Sequence, residues 1–268
     1  MSDTSKGTTV ELRIRRQDEP GASPYWQSFV VPVHPGANVV SVLMDLRAQP
    51  ITVDGETVDP VAFEHNCMEE VCGACAMLIN GRPQPACSAL IVDLQAPIRL
   101  EPLPKFPVVR DLMVDRSRLL ENLKRVKAWV RIDGHWDNHE RAPRLSPAAW
   151  AANYLYSRCM SCGCCMAACP QFRGSSDDLD QGRQDTGSGF VGPAPLAQVR
   201  LMNAHPTGQN DKVERLHAIM ADGGLSDCGN AQNCVRVCPK EIPLTTAIGE
   251  LGRQTTVQLL KDLFGGTG

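Results

Sequence analysis

At 268 residues, with 43% hydrophobic and 21% charged residues, the chain has the composition of a folded globular protein and the length for two ordinary domains. Lys and Arg number 27 against 30 Asp and Glu, so the net charge of −3 offers no global field for nucleic acid or an anionic membrane surface. No run of about eighteen apolar residues is present, and Met1-Ser-Asp-Thr-Ser-Lys6 does not read as a secretory signal, so the 12 cysteines are expected to be reduced thiols for metal or redox chemistry.

The residues from Thr9 to Arg15 and from Gln27 to Val33 alternate with a period of two, which predicts a pair of strands. His34-Pro-Gly-Ala-Asn38 breaks the pattern, and Val39, Val40, Val42, Leu43 and Leu46 follow at spacings that suit one helix face. After a cysteine-bearing loop, Ala76 to Ile79 reads as a strand and Asn80-Gly81 as its turn. A further strand is expected around Ile91, closing a first domain at 1–107. From Val108 the character changes, with Leu112, Leu119, Leu120, Leu123, Val126 and Trp129 at helical spacing. The stretch from Ser175 to Gly189 predicts an exposed loop, whereas the stretches from Ala194 to Met202 and from Leu244 to Leu251 predict helices. Residues 108–268 thus read as a second, helical domain, and the class as α+β. Arg13-Ile-Arg-Arg16 reads as the outer face of a strand, His135 and His139 as solvated surface, and His205 and His217 carry no signal of their own.

The cysteines fall into three groups. Cys67, Cys72 and Cys75 have the Cys-x4-Cys-x2-Cys spacing of plant-type two-iron sites, with Cys87 as the fourth thiolate and Gly73 supplying backbone freedom in the loop. A structural zinc site also takes four cysteines, though more often from two Cys-x2-Cys knuckles. Cys159, Cys162, Cys165 and Cys169-Pro170 form an unbroken Cys-x2-Cys-x2-Cys-x3-Cys-Pro run, whose fourth cysteine serves the other cluster in two-cluster proteins. Cys228, Cys234 and Cys238-Pro239 are a second such run in which Ala231 stands in the place of one ligand. Crossing the runs over gives Cys159, Cys162, Cys165 and Cys238 for a four-iron cluster. The remaining Cys169, Cys228 and Cys234 suit a three-iron cluster. Cys164 is left over and reads as a small buried hydrophobe.

At these residues the chain resembles the iron–sulfur subunits of succinate dehydrogenase and fumarate reductase, the respiratory complex II family. The resemblance rests on Cys67-Met-Glu-Glu-Val-Cys-Gly-Ala-Cys75, Val109-Arg-Asp-Leu-Met-Val-Asp115, Phe190-Val-Gly-Pro193 and Cys234-Val-Arg-Val-Cys-Pro-Lys-Glu-Ile-Pro243. It implies a β-grasp [2Fe-2S] ferredoxin-like domain followed by an all-α two-cluster ferredoxin-like domain with [4Fe-4S] and [3Fe-4S] clusters. It also implies a flavoprotein partner with covalent FAD and a membrane anchor with haem b and quinone, placing the chain peripherally on the cytoplasmic face of a bacterial inner membrane. Electrons would pass from succinate through the clusters to quinone, with no bond chemistry on this chain. Fumarate reduction in reverse, or service to another flavin dehydrogenase, are the alternatives. Two positions depart from ubiquinone-type members, which carry a Trp after the Cys-Pro pair and a His after the first three-iron cysteine. Here they are Gly174 and Gly229, which points to menaquinone, with Pro170, Gly229 and Ala231 expected nearest to it.

Overall fold

The computed structural model describes residues 9–131, 143–173 and 189–265, so His135, His139, Gly174 and nearly all of the loop expected from Ser175 lie outside the described residues. By chain contacts the protein divides into two units, Met1–Arg116 with Met160–Ala167, and Ser117–Cys159 with Ala168–Gly268.

The first unit is built on a five-stranded mixed sheet. Strands β1 (Thr9–Arg16) and β2 (Tyr25–Pro32) form the expected antiparallel pair, and helix α1 (Val39–Ala48) follows. Asn38 starts that helix with a capping box: its side chain accepts from Ser41 N at 2.9 Å, and Ser41 Oγ accepts from Asn38 N at 3.0 Å. Strands β3 (Ala76–Ile79) and β4 (Arg82–Pro85) make a hairpin on Asn80-Gly81, and β5 (Ile98–Glu101) lies parallel to β1 and antiparallel to β3, giving the order β2-β1-β5-β3-β4. Leu12, Ile14, Phe29, Val39, Leu43, Ile79, Ile98 and Leu100 are fully or nearly fully buried in its core. The strand expected around Ile91 is a short 3-10 turn at Ile91–Asp93, in which Leu94 N–H donates back to Ile91 O at 3.2 Å. The apolar side chain of Ile91 is buried from a turn, and the pairing strand is Ile98–Glu101.

The sequence changes character at Val108, yet by contacts the first unit runs on to Arg116. Two short strands, β6 (Val108–Arg110) and β7 (Met113–Val114), carry Asp111 and Leu112 between them. Asp111 is 0% exposed, and its carboxylate accepts from Arg16 Nε at 2.8 Å, Gln17 N at 3.1 Å and Ala62 N at 2.8 Å. Arg16 is therefore not on an outer strand face. At 1% exposure it is a buried cation that also donates to Gln27 Oε1 and Asp59 O.

In the second unit the described residues form helices and no strand. Helix α2 is Ser117–Arg125, shorter than its apolar spacing suggests, because Leu112 belongs to the turn before it and Lys127 at φ 54° ends the helical path before Trp129. Helix α3 (Pro147–Ser157) starts on a Ser146 cap and precedes the first cysteine run, within which the single turn α4 (Cys164–Ala167) belongs to the first unit. Helix α5 (Pro193–Ala204) packs between α3 and the long α8 (Leu244–Phe264), α6 (Lys212–Met220) also lies on α8, and the single turn α7 (Asn233–Arg236) precedes it. Arg200 ties three of these together, donating to Glu250 at 2.6 Å and to Asn153 at 2.5 Å. Among the described residues no helix is long and apolar enough to cross a membrane.

Candidate metal centres

The loop from Cys67 to Cys75 owes its shape to backbone in the left-handed region, at Met68 (φ 60°), Glu70 (φ 55°) and Gly73 (φ 75°). This winding turns N–H groups toward sulfur. Glu69, Val71 and Cys72 donate to Cys67 Sγ at 3.4, 3.3 and 3.3 Å, and Ala74 donates to Cys72 Sγ at 3.5 Å. Three amide dipoles on one sulfur hold Cys67 down to about 6. Cys75 enters β3 and Cys87 leaves β4, so the hairpin brings these two buried thiols together, with Ala86 N–H donating to Cys75 O at 3.1 Å. Burial, and then the neighbouring Cys75 thiol, push Cys87 up to about 11. The sulfurs thus interact in two pairs, Cys67 with Cys72 and Cys75 with Cys87, and the charge of Cys67 reaches Cys87.

Gly73 does more than shape the loop. A Cβ built there would lie 2.8 Å from Met160 O and 2.9 Å from Cys162 Cα, so only glycine lets the loop and the Met160–Ala167 segment touch. Gly163 likewise leaves room for Leu103 and Phe106, which a Cβ would meet at 3.0 and 3.1 Å. Gly73→Ala combines this collision with a conformation costing about 1–2 kcal/mol for an L residue, so a lower urea midpoint of the full chain is expected. An unchanged midpoint would mean that the contact is not close.

Within Met160–Ala167, Cys162, Cys164 and Cys165 are all buried. Cys164 is 0% exposed, consistent with a small buried residue, but its thiol also hydrogen-bonds the Cys162 side chain. That bond, opposed by burial and helped by the Arg116 charge, draws Cys162 down to about 7, while Cys164 is pushed far up. Arg116 holds the same neighbourhood, donating to Glu64 at 2.8 Å, Ala74 O at 2.8 Å and Ala76 O at 3.3 Å.

In the second unit, Cys169, Cys228 and Cys234 line one cavity with Pro170, Gln171, Phe190, Gly229 and Ala231. Burial first, then the charges of Cys169 and Cys228, raise Cys234 to about 11. Ala231 lines the same cavity in the place that the spacing reserves for a fourth thiol. Gly229 leaves room that Gln171 fills, since a Cβ there would come within 2.5 Å of Gln171 Nε2. Cys159 follows α3, with its N–H donating to Tyr156 O at 3.3 Å, and Cys238 Sγ accepts from Ile242 N at 3.4 Å. Arg158, beside Cys159, donates to Lys240 O at 2.7 Å. Neither Arg116, Arg158 nor Gln171 carries a spacing signal, so sequence reasoning passes over them.

Among the described residues no three His, Cys, Asp or Glu side chains converge closely enough for a single metal ion. Cysteine thiols alone, wrapped by N–H donors, are a donor set that fits multi-iron cores, whose sulfides hold the irons apart.

Comparison with known proteins places the chain among iron–sulfur proteins. Residues 11–121 match the family model described as a 2Fe-2S iron-sulfur cluster binding domain, and residues 155–242 match the 4Fe-4S dicluster domain. The chain is 49% identical over 261 residues to the succinate dehydrogenase iron-sulfur subunit of Bacillus subtilis, covering 97% of this chain and 98% of that one. It is 30% identical over 253 residues to the fumarate reductase iron-sulfur subunit of Wolinella succinogenes, covering 92% and 98%. Its fold is similar to a chain of the Mycobacterium smegmatis Sdh1 complex in the apo form, with a TM-score of 0.76 at 24% identity over 94% of this chain and 97% of that one.

Proposed function

Because the chain belongs to the family of succinate dehydrogenase and fumarate reductase iron–sulfur subunits, we propose that it is the electron wire of a menaquinone-linked succinate:quinone oxidoreductase. Cys67, Cys72, Cys75 and Cys87 would hold a [2Fe-2S] cluster, Cys159, Cys162, Cys165 and Cys238 a [4Fe-4S] cluster, and Cys169, Cys228 and Cys234 a [3Fe-4S] cluster. When bound, these clusters supply one-electron redox chemistry at potentials set by ligands, hydrogen bonds to sulfur and burial. The chain's own residues hold thiolates at fixed places and donate N–H groups to them. The pairing of Cys67 with Cys72 and of Cys75 with Cys87 suits one pair per iron. The sheet order with α1 against β2 supports a β-grasp reading of the two-iron part, residues 1–107, with 108–268 as the two-cluster part. The alpha-only described part of the second unit supports an all-α two-cluster part.

Partners follow from the same reading. A flavoprotein with covalent FAD would take two electrons from succinate and pass them singly to the two-iron cluster. A membrane anchor with haem b would hold menaquinone by the three-iron site, near Pro170, Gly229 and Ala231, and keep the chain on the cytoplasmic face of the membrane. This serves the tricarboxylic acid cycle.

The observation that carries the reading is the unequal supply of thiols, four around the β3–β4 hairpin and three around the cavity where Ala231 stands. The complex purified through this chain should be brown and contain a flavoprotein and membrane subunits. Electron paramagnetic resonance should show an oxidised-state three-iron signal, and succinate should reduce the two-iron cluster at least in part. A colourless preparation containing zinc in place of iron and sulfide overturns the reading.

A further inference from the structure

A carbonyl in an irregular segment has no helix or sheet partner and must find its donor elsewhere. The segments that follow Cys169, carry Phe190 and lead to Cys228 are irregular in this way, and all three find side-chain donors on one helix, α2. Arg118, Asn122 and Arg125 are four and three residues apart, so they share one face of that helix. Asn122 on this face is buried, whereas Leu120 and the Glu121–Lys124 pair are exposed.

Each donor holds a different part of the wall around the cavity of Cys169, Cys228 and Cys234. The Arg118 guanidinium lies 4.7 Å from the ring of Phe172, a buried residue whose N–H donates back to Cys169 O at 3.2 Å, and its Nη1 donates to Arg173 O. Asn122 Nδ2 donates to Val191 O at 3.1 Å and Arg125 Nη1 to Gly189 O at 2.7 Å, so Phe190, which lines the cavity, is held on both sides. Arg125 Nη2 also donates to Asp222 O. Beyond it Gly223 O accepts from Val191 N at 2.8 Å, and the turn Leu225–Asp227 delivers Cys228, whose N–H donates to Leu225 O at 3.2 Å. The turn that carries Cys234 is tied to the first segment by Asn233 Nδ2, which donates to Ala168 O at 3.2 Å. No residue of α2 lines the cavity itself, and all of these residues belong to the second unit.

We propose that α2 is the frame of the three-iron site, with Arg118, Asn122 and Arg125 as positioning residues that hold the Cys169, Phe190 and Cys228 segments around the cluster. The inference rests on the assignment of Cys169, Cys228 and Cys234 as its ligands. Three thiolates leave one corner of such a cluster without a ligand, so its retention depends on how firmly those three are placed. Groups that orient metal ligands typically cost about 10–100-fold in metal affinity when they are replaced.

The test follows the cluster signals by electron paramagnetic resonance while the membrane complex is incubated with an iron chelator. In Arg118→Gln, Asn122→Ala and Arg125→Gln the three-iron signal should be lost about tenfold faster than in the wild type, while the two-iron and four-iron signals keep their lifetimes. Arg125→Lys should fall between, because an ammonium keeps the charge but lacks the planar fork that serves Gly189 O and Asp222 O together. If Asn122→Ala yields no complex, the two arginine-to-glutamine variants decide. An unchanged three-iron lifetime in both overturns the inference. Four-iron loss quickened by the same factor also overturns it, since α2 would then support the unit as a whole. A wild-type complex without a three-iron signal overturns instead the ligand assignment beneath it.

Discussion

Asp111→Ala is expected to cost the protein about 3–5 kcal/mol, the loss typical when one member of a buried ion pair is removed. The Asp111 carboxylate holds three donors at once, Arg16 Nε and the backbone N–H groups of Gln17 and Ala62. Without it Arg16 remains buried at the end of β1 with only Gln27 Oε1 and Asp59 O as acceptors. Against a total stability of about 5–15 kcal/mol this is a large share. Urea unfolding of the full chain should show the midpoint falling steeply. Asp111→Asn keeps acceptor oxygen while removing charge, and should fall between wild type and alanine. Replacing Arg16 and Asp111 together by apolar residues of similar volume should cost less than Asp111→Ala alone, since no charge is then left stranded. Equal losses in the double and single variants would mean that the pair acts only as packing.

On the proposed cluster assignment, Ala231→Cys is expected to give a second four-iron signal in the reduced state in place of an oxidised-state three-iron signal. Ala231 lines the cavity shared by Cys169, Cys228 and Cys234, so a thiol at this position completes the set of four. A fourth iron bound there changes the cluster's charge and potential together. Each 59 mV fall in potential disfavours its reduction tenfold, so quinone reduction should fall with it. Spectroscopy separates this from simple damage, because a disrupted site would lose the three-iron signal without gaining a four-iron one. Persistence of the three-iron signal at full strength in the variant would show that residue 231 does not stand in the ligand's place.

How far the sequence carries depends on whether a feature is local. The strands at β1 and β2, the helix after Asn38 and the Asn80-Gly81 hairpin are local patterns of apolarity and turn chemistry, and they are legible. The cysteine groups are legible because metal ligation imposes spacing. Arg16 is not, since an arginine in a strand looks solvated until Asp111, far along the chain, is known to lie beneath it. Ile91 misleads because burial makes a residue apolar whether the backbone is extended or turned. Leu112 belongs to a hairpin turn that happens to continue the spacing of the helix after it. Arg116 and Arg158 follow no cysteine-like spacing of their own, so nothing in the sequence marks them.

The contact of Gly73 with Cys162 also bears on the order in which the protein can be made. Domains tend to fold as units while the ribosome is still adding residues. The first unit, however, takes in Met160–Ala167, synthesised only after the helix Pro147–Ser157. Until that stretch leaves the ribosome, Gly73 lacks the neighbour that covers it, so the nascent two-iron loop waits half-finished for a piece of chain encoded long after it.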